Sequence, residues 1–293
     1  MKNLEIYCIT DKRLPYLENF HYNLAAVGKE KLPDSYLKCN YGNNIFNKEK
    51  YYSELTFQYW YWKNKLDINK NNWIGFCQKR RFWINKNSID ETITTENFEK
   101  HLLKDIPKEW DSVNAIICNP IMLNNVKKIK LMKKGFKSLI KDPRIFFDKN
   151  KQTIKLHFDM HHGYGNLNKA IELMHDQDRN EFKEFVENSV SFNPHIIFIT
   201  KPHIANKWFN SLFPWLFNCE KIFGFEKLKG YNTERLYAYL AERYLSFWFK
   251  KYTKSLNWPW VMFDPNSEKS LNISYKKKHT GDYFPNVYLN LNF

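Results

Sequence analysis

Lys79-Arg80-Arg81 closes the apolar run Trp73-Ile74-Gly75-Phe76-Cys77-Gln78 and is followed by Phe82-Trp83. A guanidinium fork matches two oxygens of a phosphate at once, so arginines ending an apolar strand predict a phosphate-bearing ligand at its tip. A second cation points the same way. Leu236, Leu240, Arg243 and Phe247 stand at offsets 4, 7 and 11, which puts Arg243 on the buried stripe of a helix expected over about residues 233–254. A cation there requires a carboxylate or a bound anion. Glu54 opens another expected helix, Glu54 to about Asn64, directly before its apolar stripe Leu55, Tyr59 and Trp62, and Ser53 is suited to cap it.

His157, Asp159, His161 and His162 form the densest group of titratable side chains. Alternation over residues 153–158 suggests a strand, on which His157, Asp159 and His161 would share one face. That face could hold a general base or a metal, or simply be a polar strand end. Asp176-Gln177-Asp178 is the one D-x-D in the chain, a spacing that many nucleotide-sugar enzymes use to hold a divalent metal. It falls inside a long amphipathic helix expected from Leu167 to Val190, where residues two apart diverge by about 200°. The pair therefore reads as solvated surface.

The elements that must position these groups alternate between strand and helix. Leu4–Ile9 reads as a first strand ending in the polar tip Thr10-Asp11-Lys12, and Tyr16, Phe20, Leu24 and Val27 recur at helical spacing after it. Trp73–Gln78, Val113–Cys118 and His195–Ile199 read as further strands, and residues 203–218 as a helix. The fold expected is α/β, a Rossmann-like sheet flanked by helices with a more helical second half.

Composition sets outer limits. The 293 residues carry 46 basic and 31 acidic side chains, a formal charge of +15, which favours an anionic partner: nucleotide, nucleic acid or membrane surface. Lysine-rich, asparagine-rich composition can also arise without chemical cause. Between Val126 and Lys141 there are seven lysines, no acid and several large apolar residues, a pattern suited to an anionic membrane surface or to a solvated helix face. The five cysteines are widely spaced without a C-x-x-C pair, which argues against a zinc cluster or disulfide framework. Absence of a long apolar run near the start or elsewhere leads to the expectation of a cytoplasmic protein, soluble or peripheral at the inner face of a membrane. P-loop, nucleophile-elbow and zincin motifs are absent, and Gly163-Tyr164-Gly165 lacks the third glycine of a dinucleotide fingerprint.

Several of these stretches together resemble a known family. Ser53-Glu54-Leu55-Thr56 with Tyr59-Trp60-Tyr61-Trp62-Lys63-Asn64, Trp73-Ile74-Gly75-Phe76 with Arg80-Arg81-Phe82, and Arg235 with Ala241-Glu242-Arg243-Tyr244-Leu245 and Trp248 are similar to motifs of the domain of unknown function 4422 family. They appear in the family's order over roughly residues 4–255. Members accompany capsule and O-antigen gene products and are assigned as glycosyltransferases, some galactosyl or galactofuranosyl. The resemblance implies a GT-A-like fold over residues 1–255, with 256–293 as a C-terminal extension packed on it, and transfer of a hexose from a nucleotide-sugar donor to a glycan or lipid-linked acceptor.

Under that reading Arg80, Arg81 or both, with Arg243, stabilise the departing nucleoside diphosphate, so that cations stand in for a metal. No cofactor is expected, with Mn²⁺ or Mg²⁺ left open. Neighbouring strand side chains face opposite ways, so one arginine would meet phosphate while the other pairs with Glu54 or Glu242. Thr10, Asp11 and Lys12 would lie near the nucleoside. Glu54, favoured, and Asp159 are candidate bases, and Glu242 completes the catalytic set. The chain departs from the family where Asn40-Tyr41-Gly42-Asn43-Asn44-Ile45 replaces D-T-G-D-N-I and Gln78-Lys79 replaces H-Y. No role for those acids or that histidine carries over. Two other classes compete: as the runner-up, a basic, aromatic nucleic-acid-binding protein using Arg80-Arg81-Phe82-Trp83, and as a third option, a catalytically idle scaffold for glycan assembly.

Overall fold

The computed structural model describes residues 3–89 and 91–265, together with residues 271–272, 275–277 and 283–285. Its centre is a nine-stranded sheet. The strands are β1 (Leu4–Thr10), β2 (Asn23–Ala26), β3 (Leu37–Lys38), β4 (Trp73–Gln78), β5 (Arg81–Trp83), β6 (Ala115–Cys118), β7 (Phe198–Thr200), β8 (Ser255–Trp258) and β9 (Trp260–Met262). The order across the sheet is β8-β6-β7-β4-β1-β2-β3, with β5 pairing β4 and β9. Pairing is parallel except for β7, antiparallel to both neighbours, and the β5 and β9 contacts. The sheet is thus mostly parallel and flanked by helices, a mixed α/β architecture.

The inner strands are mainly apolar because both faces of the sheet are covered. Along β1, Tyr7 and Ile9 join the helical core, while Ile6 and Cys8 join a second core under β5, β9 and the loops between residues 84 and 113. Gly75 in β4 lets the two neighbouring strands close up. A Cβ there would meet Ile199 Cγ1 at 2.7 Å and Ile6 Cγ1 at 3.3 Å.

The main helices are α1 (Leu55–Asn64), α2 (Lys128–Lys134), α3 (Phe136–Lys141), α4 (Ile154–His161), α5 (Asn166–Ile171), α6 (Asp176–Asn188), α7 (Pro202–Phe223) and α8 (Leu236–Tyr252). Three expectations are corrected here. No helix spans Tyr16 to Val27: Pro15–Leu17 is a single 3-10 turn, and the buried run Leu24-Ala25-Ala26-Val27 is inner strand and its end. Residues 153–158 are not a strand but the start of α4, whose N-cap Thr153 accepts the Leu156 N–H at 3.4 Å. The long helix over 167–190 is two, and Asp178 is not solvated: buried, it accepts Tyr244 and Tyr252 hydroxyls and pairs with Lys251 at 3.0 Å.

The run from Gln78 to Phe82 turns instead of continuing as one strand. Lys79 and Arg80 form a tight hairpin between β4 and β5, with Arg80 in the left-handed region at φ 70°. Residues 255–262 are built into the sheet, β8 as its edge strand beside β6 and β9 beside β5. Of residues 266–293, only 271–272, 275–277 and 283–285 are among the described residues.

β2 and β3 lie on one side of β1 and β4 on the other. This reversal opens a crevice beyond the carboxyl ends of β1 and β4, the usual place for a ligand in an open α/β sheet.

Candidate functional site

A cleft occupies that crevice. Gln78 and Arg81 from the β4–β5 hairpin, Ser53 and Glu54 before α1, His157 and His161 from α4, and Arg235, Tyr239, Glu242 and Arg243 from α8 and its start all line it. A smaller recess adjoins it at the tip of β1, lined by Thr10, Asp11, Glu49 and Lys79, and shares Ser53, Glu54 and Arg235 with it.

The cations are held by a continuous relay. Arg81 donates its Nε–H to His195 Nε2 at 3.2 Å. The His195 backbone N–H donates to Glu242 Oε1, and Arg243 donates to Glu242 Oε2. His195 adopts φ 64°, a strained conformation for a side-chain-bearing residue, which turns its amide toward Glu242. Arg243 is 1 % exposed. Its guanidinium lies 4.0 Å over the Phe192 ring and faces His157 Nδ1 at 3.2 Å and His162 Nε2 at 3.4 Å. Burial lowers the pKa of both Arg81 and Arg243, opposed by Glu54 and Glu242 for Arg81 and by Glu242 for Arg243. Both remain cations, since guanidinium starts far above neutrality.

The imidazoles are neutral. Burial pushes His157, His162 and His195 well below the ordinary histidine range, reinforced by Arg243 at His157 and His162 and by Arg81 at His195. His161 is pushed down to about 3, first by burial and then by Lys130 and Lys134. The tautomers follow from partners: His162 Nδ1 donates to the Asn232 carbonyl at 2.8 Å, leaving Nε2 to face Arg243 as an acceptor. His162 also stacks on Tyr239, ring centroids 3.7 Å apart. Among the described residues no group of three or more His, Cys, Asp or Glu is placed to hold a metal ion. The imidazoles of His157 and His162 are organised around Arg243 instead.

Two carboxylates enter the cleft in different states. Both oxygens of Glu242 already accept hydrogen bonds. Glu54 is half-buried, with Arg81 and Arg235 as its electrostatic neighbours. Burial pulls the Arg235 pKa down, but Glu54, Tyr231 and Glu49 outweigh it and the guanidinium is held more firmly as a cation. It also lies 5.1 Å from the Tyr231 ring centre.

The remaining expected residues fall outside this centre or at its edge. Arg80 turns away from the cleft, its side chain 47 % exposed and 3.6 Å from Asp264. Thr10 lines the recess, but its hydroxyl closes the β1 tip by donating to the Lys12 carbonyl at 2.6 Å and accepting the Lys12 N–H at 3.0 Å. Asp11 pairs with Lys79, and Lys12 is exposed. Asp159 does not reach the cleft. On a helix it faces away from His157 and His161, and its carboxylate accepts Lys155 Nζ at 2.6 Å and the Gly165 N–H at 2.9 Å. The aromatic pair offered as a base-stacking platform is unavailable, since Phe82 and Trp83 are wholly buried.

Three cleft residues were not singled out as site residues from sequence: Arg235, Tyr239 and His195. Arg235, Tyr239 and Glu242 stand at i, i+4 and i+7, a polar stripe beside the apolar one, and that spacing was a readable signal. His195 had none, because it reaches the site through a backbone conformation set by tertiary packing.

Compared with known proteins, the chain is similar to a solved structure described as the apo form of WbbM, a bifunctional glycosyltransferase. The TM-score is 0.61 at 15% identity, over 95% of this chain and 48% of that one. The likeness shows the fold alone, and the chain spans about half the length of that protein. No curated protein matches the chain. Residues 5–254 match the family model described as domain of unknown function (DUF4422), and the chain belongs to that family.

Proposed function

We propose that this protein is a glycosyltransferase that moves a hexose, with galactose or galactofuranose the candidates, from a nucleotide-sugar donor to a polysaccharide or lipid-linked glycan. Capsule or O-antigen assembly on the cytoplasmic side of the membrane is the setting the family resemblance implies. One observation carries the reading: Arg81, Arg235 and Arg243 converge with Glu54 and Glu242 on a single cleft at the carboxyl ends of β1 and β4. Three fixed cations against two carboxylates suit a ligand bearing a diphosphate. The glycosyltransferase fold and the family support the same conclusion.

The chemistry follows from the arrangement. An acceptor hydroxyl attacks the anomeric carbon, the bond from that carbon to the diphosphate oxygen breaks, and the electron pair leaves with the nucleoside diphosphate. Arg81 and Arg235 meet the charge growing on that oxygen with groups already oriented before the reaction. Arg243, locked by Glu242 and two imidazoles, sets the field from behind. The hydroxyl proton goes to Glu54, the cleft carboxylate whose oxygens are not committed to the Glu242 relay. Thr10, Asp11 and Lys79 border the recess where the nucleoside would sit.

A thermal-shift screen of uridine, guanosine and thymidine diphosphate sugars, with and without Mn²⁺ and with EDTA, tests this. A nucleotide sugar should raise the melting temperature, and the same donor should release nucleoside diphosphate when an acceptor is supplied. Stabilisation that vanishes with EDTA would overturn cations acting in place of a metal. No response to any nucleotide sugar would overturn the transferase assignment itself.

A further inference from the structure

The helix pair α2 and α3 carries a feature that catalysis does not use. Leu131 of α2 packs with Ile145, Leu156 and Met160 in a small core of its own, which ties the pair to the side of α4. Ile129, Met132, Phe136 and Ile140 point the other way, at spacings of three, four and four, and are 58–69% exposed. Phe147, just beyond, is 81% exposed. Lone exposed apolar residues are ordinary, but a continuous stripe of this kind marks a surface that something else covers.

Lysines 127, 128, 130, 133, 134, 137 and 141 share this segment without one acid. The nearest carboxylates are spent locally: Asp142 on Arg144 at 2.8 Å, and Asp148 on the Asn150 N–H at 2.8 Å. We infer that residues 126–147 dock on an anionic lipid bilayer, with the stripe in the boundary between headgroups and acyl chains and the lysines on lipid phosphates. A protein partner fits less well, because lysine is depleted from protein interfaces, whereas a bilayer takes the long side chains at its phosphate layer.

The position of this surface gives it a purpose. α4 packs the α2–α3 pair through Leu156 and Met160 and offers His157 and His161 to the cleft. Lys130 and Lys134 are close enough to act on the His161 imidazole, and Lys137 and Lys155 flank the Tyr164 ring at 5.7 and 5.8 Å. A bilayer held there lies beside the cleft and presents a lipid-anchored acceptor to it. That last step rests on the transferase reading; the docking surface does not.

Flotation of the full chain with vesicles tests the surface without catalysis. Wild type should float with vesicles of phosphatidylcholine mixed with phosphatidylglycerol, not with phosphatidylcholine alone, and added salt should release it. The triple change Lys133→Glu, Lys137→Glu and Lys141→Glu should weaken binding by about 100-fold or more. Phe136→Ser with Ile140→Ser should weaken it about tenfold or more. These side chains are exposed, so unfolding temperature and donor-induced thermal shift should stay at wild-type values. Failure of wild type to bind anionic vesicles, equal binding to neutral ones, or variants that float like wild type would each overturn the proposal. Vesicle binding without any donor response would leave the surface standing and remove the transferase reading alone.

Discussion

Glu242 accepts the guanidinium of Arg243, its immediate neighbour on α8, on one carboxylate oxygen, while the other takes the backbone N–H of His195. Successive helical residues diverge by about 100°, so the contact requires the Arg243 side chain to bend back toward its neighbour, where its guanidinium also faces His157 and His162. Removing one partner leaves a buried charge. Arg243→Met should cost about 3–5 kcal/mol, and the double change with Glu242→Gln less than the sum of the two singles. A double-mutant cycle by urea denaturation measures the difference, and additive costs would mean the pair is not coupled.

Stability should fall with acid from near neutrality downward. Unfolded imidazoles take a proton near pH 6.5, whereas His157, His161, His162 and His195 are held below that in the native chain, His161 to about 3. Below about pH 6.5 the unfolded state therefore binds more protons, and stability that is complete above it drains away toward the native values. Each such histidine contributes about 1.4 kcal/mol per pH unit in that window. His161→Gln should flatten the urea-derived stability profile between about pH 6 and pH 4 by one such slope; a profile as steep as wild type would contradict this.

Of the adjacent arginines, Arg81 should matter for the donor and Arg80 should not. Arg81→Lys keeps the charge but loses the fork that grips both His195 and an anion, and should weaken nucleotide-sugar binding by about 10- to 100-fold. Arg80→Ala removes a half-exposed group paired with Asp264 and should leave affinity within about twofold. Isothermal titration of both variants with the donor found by screening decides the matter, and equal losses would reverse the assignment.

Glu54→Gln keeps size and polarity while removing the base. Transfer turnover should drop by about 10²- to 10⁴-fold with the donor-induced thermal shift retained. Loss of the thermal shift in parallel would place Glu54 in donor binding instead.

Gly75→Ala should destabilise the sheet by about 1–3 kcal/mol through the clash with Ile199. Adding Ile199→Ala removes the opposing Cγ1, so the double variant should lose less than the sum of the two single changes, as read from denaturant midpoints. An unchanged midpoint in the single variant would show that β4 and β7 can move apart at no cost.

The sequence disclosed strands best where burial is symmetrical. β1, β4, β6 and β7 are mainly apolar runs because both faces of the sheet are covered, and the tip of β4 led to Arg81, which lines the cleft. Arg243 was legible from its helical stripe. α4 was not, since Thr153-Ile154-Lys155-Leu156-His157-Phe158 alternates like a strand, and only Thr153 as N-cap and the burial of Ile154 and Phe158 one turn apart reveal a helix. The Tyr16–Val27 segment failed in the opposite sense, because four residues at helical intervals fall on a turn and a short inner strand. His195 and the hairpin at Arg80 depend on positive φ at residues other than glycine, which local sequence preference does not announce.

The antiparallel insertion of β7 between β4 and β6 has a consequence in time. Both flanking strands leave the ribosome by residue 118, while their shared neighbour emerges roughly 80 residues later. At ordinary elongation speeds that is a delay of roughly 4–16 seconds. β6 waits longer still for its other partner, β8, at residues 255–258. Until β7 emerges, one edge of β4 and both edges of β6 stand unpaired, and one edge of β6 stays open until β8 follows, which makes early release or stalling the moment of greatest aggregation hazard.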